Sequence, residues 1–205
     1  MDHHRARWAT ALLWVGAVAG LLAGCAFPGS VPTTVKIGLS APFEGRHRDV
    51  GYEALAAVRL AVRQCNDAGG LDGRYLVEFV ALNDFADADE AVVQARKMAV
   101  DPDVLGVIGG FSTSAAQASR PEYERLGLVF LAPPFDATAP GSDLLAQPDA
   151  EFISAYQELS GGAEPGAVAL WAYGVATDLL QAMDRAARAE GAPTREGVGA
   201  ALEGN

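Results

Sequence analysis

Val35-Lys36-Ile37-Gly38-Leu39-Ser40-Ala41-Pro42-Phe43-Glu44-Gly45 opens the folded part of this 205-residue chain. Residues 35 to 39 are a compact apolar run of strand type. A loop bearing Pro, Gly and mixed charge continues to Gly51. Tyr52 to Asn66 then places Leu55, Val58, Val62 and Cys65 at helical spacing, with Arg59 and Arg63 off that face. Gly69-Gly70 supplies the helix stop. Strand, loop and amphipathic helix follow one another here as they do at the start of a β-α-β unit.

The unit repeats. Leu71 to Arg74 reads as a turn, and Tyr75 to Leu82 as a second strand rich in Val, Phe and Tyr. Asp87-Ala88-Asp89-Glu90 has capping-box spacing and opens a helix through Ala99, with Val92, Ala95 and Ala99 on one side. Val104 to Ile108 is a third strand, running into Gly109-Gly110-Phe111-Ser112-Thr113-Ser114. Ala115 to Leu126 reads as helix, with Pro121 as a break or a fresh start. Leu128 to Leu131 is a fourth strand. Strands alternating with single helices imply a parallel sheet with right-handed crossovers, so the fold class is α/β. After Pro134 the pattern changes. Residues 136–149 are turn-rich, and helices are expected at 150–159, 167–189 and 194–202.

The start of the chain has a different character. Arg5 and Arg7 precede an apolar run from Trp8 to Leu22, which ends in Leu22-Ala23-Gly24-Cys25. This is the n-region, h-region and small-residue end of a secretory signal. The Leu-Ala-Gly-Cys stretch resembles the bacterial lipobox, in which the cysteine thiol is diacylated and becomes the N-terminus. The other reading is an uncleaved anchor, for which the run is short against a ~20-residue span. The expected organisation is a lipoprotein signal peptide at 1–24, a tether at 25–34 and a domain at 35–204, its blocks 35–136 and 150–204 joined by a linker at 137–149. Two or more acyl chains, at ~0.8 kcal/mol per buried methylene, give a stable tether.

Composition narrows the function. Half the residues are hydrophobic and a fifth charged, with a formal charge of −11. The first 24 residues hold Arg5, Arg7 and Asp2, so the remainder is slightly more acidic still. Such a body argues against nucleic acid as a partner and against docking on anionic lipid. Apart from Cys25 the only cysteine is Cys65, on an apolar helical face, so no disulfide framework is available. His47 is the one histidine beyond the signal, which excludes a multi-His metal site within one chain.

The candidate for chemistry is the turn after the third strand. Gly109-Gly110 allow close approach of backbone to a ligand. Ser112, Thr113 and Ser114 stand at a helix start, where free N–H groups and the dipole favour an anion. Ligands of open α/β sheets bind beyond the carboxyl ends of strands, where this turn lies. The competing reading is that Ser112 or Thr113 merely caps the helix. Gly106-Val107-Ile108-Gly109-Gly110 is not a dinucleotide fingerprint, and no lysine follows to make a P-loop. There is no G-x-S-x-G elbow. Arg46-His47-Arg48-Asp49 reads as a solvated loop. Asp84, Asp87, Asp89 and Glu90 read as a cap and a surface face, not a calcium cage. No cofactor and no metal are expected.

The order of these features resembles the leucine/isoleucine/valine-binding proteins of ABC transporters. The resemblance is carried by Val35 to Gly45, by Gly51-Tyr52-Glu53, and by Asn66-Asp67-Ala68-Gly69-Gly70-Leu71-Asp72-Gly73-Arg74. Asn83-Asp84, Ala91 and Ala95, Val107-Ile108-Gly109-Gly110 and Ala132-Pro133 continue it in order, so residues 35–136 are covered. Residues 150–204 are similar to the family's late helical segment, through Phe152, Tyr156, Pro165 and Ala172-Tyr173-Gly174. The resemblance implies a type I periplasmic-binding-protein first lobe: a three-layer body with a parallel sheet of about four strands plus C-terminal helices. Only residues 135–149 stand where the family has most of its second lobe.

The resemblance also assigns a site. Thr113 matches the hydroxyl residue that holds a ligand carboxylate, flanked by Ser112 and Ser114. Pro134 falls where the family offers a backbone N–H, Asp136 on a second hydroxyl position, and Val50 on an aromatic one. A carboxylate at 136 would repel an α-carboxylate and favour an amine. The implied function is non-enzymatic capture of a small polar solute, an amino acid or an amide, beside an ABC permease, with weak affinity. The alternative is a structural or interaction lipoprotein that has lost its ligand. The membrane is a partner through the lipid anchor, and an uncovered strand-end face is expected to pair two copies as a homodimer. For the anchor, intact-mass analysis of membrane-extracted protein is expected to show a diacylglyceryl adduct on a peptide beginning at Cys25. An unmodified thiol with residues 1–24 still attached contradicts it.

Overall fold

Four strands pair in parallel in the order β2-β1-β3-β4. They are β1 (Thr33–Ala41), β2 (Tyr75–Asn83), β3 (Val104–Gly109) and β4 (Val129–Leu131). Helices α1 (Arg48–Asp67), α2 (Ala88–Val100) and α3 (Thr113–Arg125) connect them, and α4 (Ala150–Ser160), α5 (Ala167–Glu190) and α6 (Arg195–Glu203) follow. This computed structural model describes residues 33–139 and 148–204. Cys25 with the segment before it, and the 140–147 part of the expected linker, lie outside the described residues. The α/β class and the parallel sheet stand as expected. β1 begins earlier than expected, because Thr33 and Thr34 pair with Tyr75 and Leu76 and so leave the tether for the sheet.

The sheet is covered on both faces. Val35, Ile37, Leu39 and Ala41 of β1 point into a core shared with α1, α5, Tyr156 of α4 and Val198 of α6. The opposite face meets Ala95 and Met98 of α2 and Tyr123 of α3. β3 is buried along its whole length, as a central strand between two helical layers should be. A bulge interrupts its pairing with β1: Lys36 pairs with Val104 and Ile37 with Gly106, leaving Leu105 as the extra residue. Leu105 joins the α1/α5 core, while Val104 and Val107 join the α2/α3 core.

The helices differ from the expected pattern in instructive ways. In α1 the most buried stripe is Ala54, Ala57, Val58 and Ala61, and Leu55 and Cys65 are only half-buried at its margin. In α2 the buried side is Ala91, Ala95 and Met98, with Val92 and Ala99 half-buried. Alanines take the positions where backbones come closest, and bulkier residues fill the flanks. α1 also starts at Arg48 rather than Tyr52, so Arg48 and Asp49 form an exposed first turn. Pro121 neither breaks nor restarts α3. It and Gln117, whose carbonyl loses an N–H partner, are both exposed residues.

Caps set the helix starts. Asp87 accepts from the backbone N–H groups of Asp89 and Glu90, and Asp149 from that of Phe152. The late helices are tied back to the sheet. Arg195 donates to the carbonyls of Val104 at 2.9 Å, Asp101 at 2.8 Å and Ala99 at 3.2 Å. Among the described residues no helix is long and apolar enough to cross a membrane. Leu179 of α5 is fully buried over β3. Leu179→Ala is therefore expected to cost about 2–5 kcal/mol in a urea melt. A loss below about 1 kcal/mol would contradict this packing.

Candidate functional site

β3 ends at Gly109, and the chain turns through Gly110 into α3. Gly110 has φ +72°, and a Cβ there would lie 2.8 Å from the Cβ of Ala116. The bare side of Gly110 thus packs on Ala116 and Phe130 of the chain itself. Ser112 follows as the N-cap of α3, only 5% exposed. Its Oγ accepts from the Ala115 N–H at 3.2 Å, donates to the Ala86 carbonyl at 3.3 Å, and lies 3.3 Å from the Ser114 Oγ. That hydroxyl is fully used inside the protein, so Ser112 is a cap. Thr113 and Ser114 are exposed on the first turn.

Asp136 comes to the same turn from the other side. The Thr113 N–H donates to its Oδ2 at 3.1 Å. Its Oδ1 accepts from the Thr138 N–H at 2.9 Å and from the Thr138 hydroxyl. Partial burial raises the Asp136 pKa, and the bonds from Thr138 and Thr113 outweigh that, bringing it down to about 2. A lowered pKa means this contact stabilises the fold above the ordinary aspartate range. The contribution is lost only as pH falls through about 2. The loop is anchored on both sides of Asp136. Phe135 meets Trp171 edge-on at 6.5 Å, and the Ala137 N–H donates to the Phe111 carbonyl at 2.8 Å. Phe111 itself meets Trp171 at 5.8 Å. Ala137 and Thr138, expected to begin the linker, are thus part of the site.

Between this loop and α3 lies a cavity of about 450 Å³, lined by Gly110, Thr113, Gln117, Arg120, Pro134 and Asp136 among others. Arg120 holds its guanidinium 5.3 Å above the Phe130 ring. Three of the four residues singled out from sequence meet here or beside it: Thr113 and Asp136 in the wall, and Ser114 next to them. A larger cavity, about 530 Å³, lies between α1 and α4 and contains Glu53 and Tyr156. Burial raises the Glu53 pKa, and backbone N–H groups of Ala169, Gly166 and Val168 oppose the shift. That carboxylate caps α5, accepting from Ala169 at 2.9 Å, and is occupied by that role.

Two neighbours of the site were not singled out as site residues from sequence. Asp84 is 1% exposed, not on a surface face. It accepts from Ser40 at 3.0 Å and from the Ala86 N–H at 2.9 Å, and burial pushes its pKa up. Asn83 accepts from the N–H groups of Phe43 at 2.9 Å and Phe85 at 3.1 Å. Together they hold Phe85 and Ala86 at φ 55° and 57°, so that the Ala86 carbonyl reaches Ser112. Turn residues at a strand end are the only local signal for this support. Among the described residues no three of His, Cys, Asp and Glu gather as metal ligands.

Fold and site together define an α/β lobe with a cavity beyond the carboxyl ends of its strands. Residues 34–144 match the family described as periplasmic binding protein, and the chain belongs to that family. It is 34% identical over 119 residues to the leucine-, isoleucine-, valine-, threonine-, and alanine-binding protein of Pseudomonas aeruginosa, covering 58% of this chain and 31% of that one. It is also 34% identical over 113 residues to Leu/Ile/Val-binding protein homolog 7 of Brucella melitensis, covering 55% of this chain and 27% of that one. The matches thus span less than a third of these relatives' lengths. Among solved structures, the branched-chain amino acid transporter substrate binding protein LivJ of Streptococcus pneumoniae, in complex with isoleucine, shares the fold. Its TM-score is 0.65 at 14% identity, over 83% of this chain and 88% of that one. The leucine binding protein LivK of Thermotoga maritima does likewise, at TM-score 0.62 and 15% identity over 82% and 87%.

The different roles of adjacent residues are testable. Ser112→Ala is expected to cost about 1–2 kcal/mol in chemical denaturation, as the loss of a buried cap. Thr113→Ala is expected to stay within about 0.5 kcal/mol, as a surface change. Equal costs for the two would contradict the assignment.

Proposed function

We propose that this protein is an extracytoplasmic solute-binding lipoprotein related to the substrate-binding components of branched-chain amino-acid ABC transporters, built from the first of two lobes. The observation that carries the reading is the cavity at the strand ends, bounded by Thr113 and Asp136, inside the segment that matches the family. The relatives are named for solutes they bind, not for reactions, and the reading is non-enzymatic. A signal at 1–24 and a lipid on Cys25 would hold the domain at the outer surface of the membrane, beside a permease.

The missing lobe sets the expected affinity. A pocket buries most of a small ligand, and one lobe supplies about half of its wall. If a two-lobed site binds at micromolar, ~8 kcal/mol, half the contacts leave ~4 kcal/mol, near millimolar. Pro134 offers no N–H to a ligand, and the Thr113 N–H is already engaged. Self-association through the strand-end side is part of this proposal. Tyr52, 56% exposed, and Phe85, 48% exposed, leave apolar surface for a second copy.

Titration calorimetry of the full chain with leucine, isoleucine and valine is expected to give dissociation constants of about 1 mM or weaker. Thr113→Ala is expected to weaken them and Pro134→Ala to strengthen them. Submicromolar binding by the wild-type monomer, or binding indifferent to Thr113→Ala, would overturn the assignment of the site.

A further inference from the structure

We propose that Asp136 is a built-in occupant of the anion position at the start of α3, so that the cavity turns away a solute carboxylate there and takes a solute that presents N–H groups, an ammonium or an amide. The inference rests on the solute-binding reading above and names the chemistry that its site selects.

The start of a helix holds free N–H groups and a partial positive charge, and the chain can satisfy them with its own acids. α1, α2, α4 and α6 each carry an acidic residue in the first turn, whereas α3 and α5 have none, and α5 takes the carboxylate of Glu53. The carboxylate at α3 comes from Asp136, 23 residues away from Thr113. This carboxylate does not lie in a helix interface. It forms part of the wall of the cavity of about 450 Å³.

The position is also firmly held. Phe135 is fixed against Trp171 and Ala137 against the Phe111 carbonyl, so the backbone on either side of Asp136 cannot swing away freely. Both carboxylate oxygens are engaged, by Thr113 and by the two donors of Thr138. Those bonds lower its pKa to about 2, so the group is ionised near neutral pH. A second carboxylate arriving at Thr113 would share one site with it, and two like charges so placed cannot both stay ionised.

What remains is an acceptor surface. An ionised carboxylate has about four acceptor positions, and Asp136 forms part of the cavity wall. The charged residues lining the cavity are Asp136, Glu124 and Arg120, two acids against one base. Arg120 rests over Phe130. An ammonium or amide N–H complements this wall, and a carboxylate does not.

The test compares leucine with leucinamide, which keeps the ammonium and side chain but lacks the carboxylate. Calorimetry on the full chain is expected to show leucinamide binding about tenfold or more tightly than leucine, and Asp136→Ser is expected to remove or reverse that ratio. A second readout needs no solute. In NMR titration of the solute-free chain from about pH 5 to pH 2, the Thr113 amide is expected to shift only with the Asp136 carboxyl at the acid end. Leucine binding the wild type at least as well as leucinamide overturns the proposal and leaves the solute-binding reading standing. A Thr113 amide that ignores the titration of Asp136 overturns it as well. If neither solute binds either protein, the solute-binding reading falls, and the Thr113 amide still decides whether Asp136 occupies the position.

Discussion

Leu179 lies on the bare backbone of Gly106, where an added Cβ would come within 2.8 Å of its Cδ1. That missing side chain lets α5 settle directly on the central strand. Gly38 plays the same part on the opposite face, where a Cβ would meet the Sδ of Met98 at 2.9 Å. The two inner strands thus each give up one side chain, on opposite faces, so that a helix can approach. Glycine weakens a strand by its conformational freedom, and full burial between two helical layers offsets that cost here. The approach of α5 matters beyond stability, because this helix carries Trp171 to the strand ends. That ring is the aromatic partner of Phe135 in the loop holding Asp136.

The site is therefore assembled from four separate stretches. β3 delivers the turn with Ser112 and Thr113, and the connection after β4 delivers Phe135 to Thr138. The β2–α2 connection supplies the Ala86 carbonyl that Ser112 meets, and α5 supplies Trp171. The pieces are tied together by a few specific hydrogen bonds and by the ring contacts of Trp171. Buried polar groups gain from being satisfied and lose heavily when one partner goes. The cap at Ser112 is thus coupled to the strained pair at Phe85 and Ala86, and both rest on Asn83 and Asp84.

Local chemistry made most of this readable in advance. Alternating strands and helices gave the parallel sheet, and the Asp87 cap stands where its helix begins. The Gly-Gly-Phe-Ser-Thr-Ser turn does lead from β3 into α3, beside a cavity. Three kinds of information were not local. The bulge at Leu105 depends on how β1 and β3 align, which no single strand reveals. The buried faces of α1 and α2 fall on alanines, whose small side chains carry little weight in a hydrophobic pattern. The pairing of Thr113 with Asp136 joins residues 23 apart across a loop, and only the packed structure brings them together.

Kinship and site also separate in this chain. The family match ends at residue 144, yet α4, α5 and α6 lie beyond it and complete the core against α1 and the sheet. The scaffold is thus kept by residues on both sides of the segment 140–147. The strand-end turn is a different matter. Thr113 is exposed on the first turn of α3, and its backbone N–H is filled by an acid of the chain's own. A lobe can keep every contact that folds it and still change what its strand ends attract, because the core and the loop tips answer to different constraints. Packing dictates the first through Gly38, Gly106 and the alanine stripes. At the strand ends the dominant local feature is one carboxylate, Asp136, held against the N–H of Thr113 at a helix start.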